Sequence, residues 1–312
     1  MKSKKTCFFK LLLAGLSCLA IHTTAFATSA ICAQVENDPA ARHMLDPSPD
    51  HIEGFEPYIY KTVGGANLRL HVFKTENKNA VAGSKKPAIL FFYGGAWEVG
   101  SVKEFIDSAK YFSKRGAVSI LVDYRVFCRQ GSSITDEVSD AKSAVRYVRS
   151  HAPQIGIDPD RIVVIGGSAG GHLALSTATI EGFESSGEDQ SISSKPNLLA
   201  LLYPCSDVTT DDEKKYGGDA IGEYGKEVSP LYHIHPKLPP MLIIQGTDDI
   251  VYEENKKFCA ESKALGNTCE FVVYKGAYHG FFGPGAENSK WYKQAQKKMD
   301  RFLTNAGYLQ YQ

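Results

Sequence analysis

The sequence has no excess of charge of either sign. Lysine plus arginine and aspartate plus glutamate each number 35, so the formal net charge at pH 7 is zero. Proteins that bind nucleic acid through its phosphates need a basic surface, and this composition gives no sign of one. We therefore expect no nucleic-acid partner, and a small or neutral molecule instead.

An apolar run long enough to cross a membrane is also missing. The N-terminal run, residues 11–21, falls well short of the roughly 20 residues that a spanning helix needs. Lysines precede this run and an Ala-Phe-Ala motif ending at Ala27 follows it, which is typical of a secretory signal peptide. We expect residues 1–27 to be cleaved, leaving a secreted or periplasmic protein without a stable membrane span. Lipid attachment through Cys18 is an alternative, although the residues before it match poorly.

The cysteines lack the spacing of metal ligands, so we predict no metal site. Five cysteines remain after cleavage, and an odd number leaves at least one outside any disulfide within the chain. Cys259 and Cys269 lie on a predicted helix and just before the next strand, and an oxidising compartment favours a disulfide between them. Buried thiols that pack as small hydrophobic groups are the alternative.

Internal repeats and low-complexity tracts are absent as well, and 312 residues suit one large domain. Alternating apolar residues on either side of Gly64-Gly65 predict a β-hairpin. Beyond it, apolar segments at 88–93, 117–124, 161–167, 198–204, 241–246 and 270–274 alternate with helical patterns at 103–114, 135–150, 168–180, 253–265 and 288–305. Continuous apolar strands that alternate with helices indicate an α/β fold, a mostly parallel sheet with helices on both faces.

We expect residues 28–54 to form an N-terminal extension and residues 55–312 to form the α/β domain. Two segments interrupt the rhythm of that domain. Residues 181–197 are rich in glycine, serine and acidic residues, which predicts a solvated loop. Residues 206–239 are too many for an ordinary connection, so we predict a short lid-like insertion over the functional site.

The clearest chemical motif is Gly166-Gly167-Ser168-Ala169-Gly170, which ends a predicted strand and opens a predicted helix. In this strand-turn-helix setting, the G-x-S-x-G pattern is typical of a nucleophilic serine held on a strained turn. A turn that only caps the helix is the alternative. We predict that Ser168 is a nucleophile.

A serine nucleophile needs a base to remove its proton and a carboxylate to orient that base. Asp248 and Asp249 follow the penultimate predicted strand, and His279 follows the last one. This order of serine, acid and histidine is the order that the strand-turn-helix setting requires. We predict that His279 is the base, whereas His172 lies one turn past Ser168 and is expected to pack or hydrogen-bond locally.

These motifs extend into a wider set of matching segments: YGGAW (93–97), DYR (123–125), GIDPDRIVVIGGSAGGHLA (156–174), SPLYHI (229–234), GTDDIV (246–251) and YHGFF (278–282). Together they resemble the α/β-hydrolase superfamily. More closely, they are similar to the esterases and lipases related to hormone-sensitive lipase and to bacterial acetyl esterases. The resemblance covers about residues 55–305 and implies an α/β-hydrolase fold without a metal or organic cofactor.

The resemblance also implies the remaining site residues. The acid of this family lies in a G-x-x-D pattern, which selects Asp249 over Asp248, a flanking turn or cap residue, and over Asp207. A His-Gly-Gly-x loop supplies backbone donors to an oxyanion hole, and the matching positions here, with the amide after the serine, are Gly95, Ala96 and Ala169. Tyr93 stands where the family has histidine, and we expect a structural role for it, in which its hydroxyl braces the loop or its ring simply packs.

The implied function is a secreted serine carboxylesterase that acts on short-chain acyl esters, acetyl above all, of small molecules or carbohydrates. We expect Trp97 and His233 to contact the substrate. A feruloyl esterase, or another esterase that removes groups from polysaccharides, is the alternative, and a non-catalytic binding module is the alternative of another class. A prolyl-oligopeptidase-type peptidase is disfavoured because Ala169 stands where those enzymes usually carry an aromatic residue. The oligomeric state stays open.

Overall fold

The computed structural model describes residues 29–75, 85–210, 217–283, 285–286 and 288–310. The predicted signal peptide lies outside this part of the chain. The centre of the fold is an eight-stranded sheet with the order β1-β2-β4-β3-β5-β6-β7-β8. Its strands are β1 (Glu56–Val63), β2 (Ala66–Phe73), β3 (Lys86–Phe92), β4 (Val118–Val122), β5 (Ile157–Gly167), β6 (Leu198–Leu202), β7 (Met241–Asp248) and β8 (Cys269–Tyr278).

The first two strands form the predicted hairpin. They pair in antiparallel fashion around Gly64 and Gly65, whose φ angles of 56° and 80° suit a tight two-residue turn. β2 also runs antiparallel to β4, whereas β3 to β8 pair in parallel. Parallel strands deliver their carboxyl ends to one edge of the sheet, so the residues that follow β3, β5, β6, β7 and β8 meet there.

The helices cover a sheet whose central strands are buried. Every residue of β4 and β6 is buried, which requires cover on both faces. The helices in the described part are Ala30–Glu36, Ile106–Lys114, Phe127–Gln130, Ile134–Ser150, Ala152–Ile155, Ala169–Thr179, Tyr252–Ala264 and Lys290–Asn305, with helical residues also at 217–221. No helix among these residues is both long and apolar enough to span a membrane.

The predicted α/β-hydrolase fold is confirmed, and one strand end differs from the prediction in a way that matters for the site. β8 runs past residue 274 through an irregularity in its pairing with β7, so that Tyr278 lies opposite Asp248. This pairing places the next residue of each strand, His279 and Asp249, side by side.

Gly170 lets the helix that follows the serine lie directly on the end of β3. A Cβ atom at this position would lie 2.2 Å from the carbonyl oxygen of Phe92 and 2.3 Å from that of Tyr93. Both are main-chain atoms at the end of a central strand. Unlike the end of a flexible side chain, they cannot move aside to make room.

Gly170→Ala is therefore expected to lower the free energy of unfolding by about 2 kcal/mol, the typical cost of forcing extra volume into a packed core. Urea denaturation of the variant and the wild type would measure this loss. Gly218→Ala is the control, because a Cβ atom there meets nothing within 4 Å. Equal stability of the two variants would contradict the close approach of the helix to β3.

Candidate active site

Ser168 occupies the tight turn between β5 and the helix Ala169–Thr179. Its backbone has φ 53° and ψ −123°, a conformation that is costly for a residue with a side chain and that is typical of strained functional turns. The Ser168 amide donates to the Leu202 carbonyl at 3.0 Å, which ties the turn to the end of β6. The turn therefore holds the serine hydroxyl at the carboxyl edge of the sheet.

A continuous line of hydrogen bonds joins Ser168, His279 and Asp249. Ser168 Oγ lies 2.8 Å from Nε2 of His279. Nδ1 of the same ring lies 2.8 Å from Oδ1 of Asp249. Because an ionised carboxylate only accepts hydrogen bonds, Nδ1 carries the ring proton and Nε2 is left to accept the proton of the serine. This is the geometry that activates a serine hydroxyl.

The side chain of Asp249 is buried and held in place by hydrogen bonds. Its side chain is fully covered, whereas that of His279 is 31% exposed. Oδ1 also accepts from the Val251 amide at 3.1 Å, and Oδ2 has no hydrogen-bond partner among the described residues. The carboxylate is therefore held in one orientation, with its oxygen toward the imidazole.

The two other aspartates near these strand ends, Asp248 and Asp207, have other hydrogen-bond partners. Asp248 is exposed and accepts from the Thr247 hydroxyl at 2.8 Å. Asp207 accepts from the hydroxyls of Thr209 at 2.6 Å and of Tyr232 at 3.2 Å. Neither is hydrogen-bonded to His279 within the described ranges, so of the three aspartates only Asp249 makes that contact.

The loop that follows β3 has an unusual backbone path. Gly95, Ala96 and Trp97 have positive φ angles of 132°, 54° and 61° in succession. A Cβ atom on Gly95 would lie 2.1 Å from the Val99 carbonyl oxygen, so only glycine fits there. The amides of Gly95, Ala96 and Ala169 have no acceptor in the described part of the chain. Gly95 and Ala96 also line the cavity, and Ala169 directly follows Ser168.

Glu104, which the sequence analysis missed, takes the neighbouring amide. Its Oε2 accepts from the Gly94 N–H at 2.9 Å, and the residue lies in the short 3₁₀ turn Val102–Phe105 on the cavity wall. Burial raises the pKa of Glu104 to about 7, against a smaller opposite effect of the Gly94 amide. A carboxyl group that titrates near neutral pH therefore supports the loop.

Tyr93 braces the loop from the side of β4. Its ring stacks on that of Tyr124 with the centroids 4.1 Å apart. The Tyr93 hydroxyl donates to the Tyr124 carbonyl at 2.9 Å, and the Tyr124 hydroxyl donates to the Tyr93 carbonyl at 2.6 Å. Nη2 of Arg129 donates to the Tyr93 hydroxyl at 2.9 Å. The tyrosine hydroxyl is thus engaged in structure, in line with the expected bracing role.

His172 fixes the position of Trp97. Its Nε2 lies 2.6 Å from the Val228 carbonyl and so carries the ring proton, while Nδ1 accepts from the Trp97 indole N–H at 3.1 Å. Burial lowers the pKa of His172 to about 4, which keeps the ring neutral at physiological pH. Trp97 lines the cavity but is only 1% exposed, so any substrate contact involves a small part of the residue.

His233 does not reach the cavity. Its Nε2 donates to the Lys226 carbonyl at 3.0 Å, and the residue is not part of the cavity wall. The cause is the 3₁₀ turn Pro230–His233, which buries Leu231 and directs the imidazole toward the backbone of the insertion itself. The structure therefore does not support the predicted substrate contact of His233.

Two cavity residues after β6 were not predicted. Tyr203 has a φ angle of 37° and places its ring edge-on to His279, with the centroids 5.1 Å apart. Sγ of Cys205 lies 3.9 Å from Ser168 Oγ, and this cysteine takes part in neither disulfide. The only signal in the sequence is their place after a strand that ends at the same edge of the sheet.

The cavity in front of Ser168 has a volume of about 1020 Å³. Six residues of the N-terminal extension form one part of its wall: Ile31, Asp38, Ala40, Ala41, His43 and Met44. The sequence predicts that residues 206–239 cover the site. In the described part of that insertion no residue lines the cavity, and the extension occupies the expected place.

The structure contains the predicted disulfide between Cys259 and Cys269 and a second one, between Cys32 and Cys128, that was not predicted. The second pair is separated by 96 residues, so spacing gave no indication of it. Glu98 lies beside it, and these three residues form the one group within the described ranges that could hold a metal ion. The two sulfur atoms are bonded to each other instead.

Comparison with known families identifies the chain. The BD-FAE family model matches residues 77–260, more than half of the sequence. The chain belongs to the BD-FAE family.

A protein of Arabidopsis thaliana named probable isoprenylcysteine alpha-carbonyl methylesterase is 30% identical over 255 residues, which cover 72% of this chain and 52% of that protein. An acetylxylan esterase of Xylanibacter ruminicola is 26% identical over 206 residues, or 60% of this chain and 39% of the relative. This member of the BD-FAE family therefore spans about half the length of such curated relatives, or less.

Among solved structures, esterase 2 of Thermogutta terrifontis is similar over most of its length. Its form phosphorylated by paraoxon has a TM-score of 0.77 and 38% identity, and the match covers 84% of this chain and 98% of that one. Its propionate-bound form has a TM-score of 0.76. These likenesses place this BD-FAE family member among the α/β-hydrolase serine esterases, as the sequence motifs predicted.

The position of Glu104 leads to a test through pH-dependent stability. Its pKa is raised in the folded protein from the ordinary 4.5 to about 7, so stability is lost as the pH rises through this interval. Glu104→Gln keeps an acceptor for the Gly94 amide and removes the charge. The variant should melt at a higher temperature than the wild type at pH 8, with a smaller difference or none at pH 5.

Thermal unfolding at the two pH values measures this difference, with the exposed Glu53→Gln as the matched control. The control should change the melting temperature equally at both. A pH-independent effect of Glu104→Gln would show that the carboxyl group is not held in a desolvated position.

Proposed function

We propose that this protein is a secreted serine carboxylesterase that hydrolyses short-chain acyl esters through an acyl-enzyme. Ser168 is the nucleophile, His279 the general base and acid, and Asp249 the residue that orients the imidazole. The observation that carries the proposal is the line of two 2.8 Å hydrogen bonds that joins these residues, beside three backbone amides without an acceptor in the described part of the chain.

In the first half of the reaction, Ser168 Oγ attacks the ester carbonyl carbon while its proton passes to Nε2 of His279. The imidazolium is stabilised by the buried carboxylate of Asp249, to which Nδ1 stays bonded. The tetrahedral intermediate collapses as His279 returns the proton to the alkoxide, and the alcohol leaves. The acyl group then remains on the serine.

In the second half, a water molecule takes the place of the alcohol. His279 removes a proton from the water as its oxygen attacks the acyl carbon, and Ser168 leaves with the proton from the imidazolium. The carboxylic acid is released and the starting state of the three residues is restored.

The amides of Gly95, Ala96 and Ala169 support both tetrahedral intermediates. Each intermediate places a negative charge on the former carbonyl oxygen, and preorganised N–H groups stabilise it more strongly than the neutral ester. A single donor of this kind contributes on the order of 3 kcal/mol to the transition state. The positive φ angles from Gly95 to Trp97 are the kind of unusual backbone conformation that occurs in functional loops.

We propose acetyl esters of carbohydrates or small molecules as the substrates. An acetyl group fills only a small part of a cavity of about 1020 Å³, which is at the upper end of small-molecule sites, so the alcohol takes up the remainder. Polar side chains on the wall, including Asp38, Lys103 and Asp107, suit an alcohol with several hydroxyl groups. The similarity to an acetylxylan esterase supports the same choice.

A feruloyl ester, or another ester on a polysaccharide, is the second candidate. The cavity volume fits a feruloyl ester as well as an acetyl ester of a large alcohol, because a bulky acyl group would also fill the available space. A series of acyl esters with a common alcohol separates the two candidates, since an acetyl preference requires the rate to fall as the acyl group grows.

We also propose that the protein is exported. The basic, apolar and Ala-Phe-Ala segments of residues 1–27 support a cleaved signal peptide. The disulfides Cys32–Cys128 and Cys259–Cys269 are consistent with an oxidising compartment.

Hydrolysis of p-nitrophenyl acetate by wild type and variants tests the esterase proposal. Ser168→Ala should lower kcat by a factor of about 10⁴ or more, because without the nucleophile no acyl-enzyme can form. Asp249→Asn should cost about the same factor, whereas Asp248→Asn, the matched control on an exposed neighbour, should stay within about threefold of wild type.

An inactive wild type would favour the non-catalytic binding module. Full activity of Ser168→Ala would remove the serine from the mechanism. Equal losses in the two aspartate variants would contradict the assignment of the acid to Asp249.

A further inference from the structure

The part of the cavity wall that the N-terminal extension forms has few buried side chains. We call residues 29–48 the strap. It includes the helix Ala30–Glu36 and the 3₁₀ turn Arg42–Met44, and six of its residues line the cavity. Only Ser29, Cys32 and Val35 of the strap are buried. Because so few of its side chains are buried, hydrophobic packing alone holds the strap weakly.

Specific links hold the strap instead, and they converge on the short helix Phe127–Gln130. Cys32 is bonded to Cys128. Nη1 of Arg129 donates to the Met44 carbonyl at 3.2 Å and to the Gly100 carbonyl at 2.6 Å. The Gly100 amide also donates to the Met44 carbonyl at 3.2 Å. The strap is therefore fastened at its helix and at its 3₁₀ turn.

The same short helix supports the loop that follows β3, residues 94–98, which we call the oxyanion loop. The Phe127 amide donates to the Trp97 carbonyl at 3.0 Å, and the Cys128 amide donates to the Glu98 carbonyl at 2.9 Å. Ser29, at the start of the strap, donates its hydroxyl to Glu98. The strap and the loop thus share one anchor, whereas Ser168, Asp249 and His279 follow other strands, β5, β7 and β8.

We infer that the strap determines which esters the pocket accepts, and that the Cys32–Cys128 disulfide positions it for this role. The inference rests on the proposed esterase function. With the disulfide opened, the strap loses its covalent cross-link to the helix Phe127–Gln130, while the sheet that carries the triad is unchanged. Contacts between the strap and the larger part of a substrate are then lost, whereas a small ester that does not reach the strap reacts as before.

This disulfide is also the more accessible of the two. Cys32 is 9% exposed, Cys128 is partly exposed, and both border a second cavity of about 580 Å³, whereas Cys259 and Cys269 are 2% and 4% exposed. A thiol reductant can reach the first pair. Two reductant thiols then supply two electrons and two protons, which yields two cysteine thiols and one reductant disulfide.

The experiment compares wild type, Cys32→Ser/Cys128→Ser and the matched control Cys259→Ser/Cys269→Ser, which removes the disulfide remote from the cavity. Two ester series are used: acetyl esters of increasingly large alcohols, and p-nitrophenyl esters of increasingly long acyl groups. For the largest esters that wild type accepts, the strap variant should show a KM raised by about tenfold, the loss expected for one or two apolar contacts. Its kcat should stay within about threefold, and the control should match wild type in both series.

A second readout follows the strap without using activity. Hydrogen exchange at the amides of residues 29–48 should become faster in the strap variant and in wild type treated with a thiol reductant. The control variant should exchange these amides at the wild-type rate, with any acceleration confined to the region around residues 259–269.

Faster exchange in the strap, together with a KM raised for the largest esters but not for the smallest in either series, supports the inference. Unchanged KM values in both series overturn it, and so does a uniform fall of kcat for all esters, which would mean that the disulfide serves the oxyanion loop. Unchanged exchange also overturns it. If the wild type hydrolyses no ester, the proposed function fails, and exchange alone decides whether the disulfide holds the strap.

Discussion

The site depends on two hydrogen bonds that must form at the same time, from Ser168 to His279 and from His279 to Asp249, each 2.8 Å long. Three different strands supply these residues, so the register of the sheet sets both distances. The irregular pairing of β7 with β8 is the decisive detail, because it places the residues after Asp248 and Tyr278 next to each other. A shift of one residue in that pairing would separate the acid from the histidine.

Sequence reasoning recovers the parts of this arrangement that follow from order along the chain. Apolar strands that alternate with helices predict the sheet, and the G-x-S-x-G turn with its later aspartate and histidine predicts residues at one edge of it. Glu104, Arg129 and the Cys32–Cys128 disulfide could not be found in this way. Each of them acts through a contact between segments that are distant in sequence, and no local periodicity or spacing records such a contact. The length of residues 206–239 predicts a lid but not its position, because length alone does not show where an insertion packs.

Contacts with neighbouring residues hold the oxyanion loop in its strained backbone conformation. Successive residues with positive φ angles are costly, and they persist only where neighbouring groups determine them. Here the Gly94 amide is bonded to Glu104, the Tyr93 ring is stacked on Tyr124, and the Trp97 carbonyl is bonded to the helix Phe127–Gln130. The strap is attached to the same helix. A segment that lines the cavity and the loop proposed to stabilise the oxyanion are therefore linked through one small element.

The most direct test of the central claim is covalent labelling of the serine. Paraoxon should transfer its diethylphosphoryl group to Ser168 and release p-nitrophenol, because a nucleophilic serine with oxyanion donors attacks phosphorus as it attacks a carbonyl carbon. Mass spectrometry of peptides from the treated protein should find the adduct on Ser168, and His279→Ala should greatly slow its formation. An adduct on another residue, or no release of p-nitrophenol, would contradict the account.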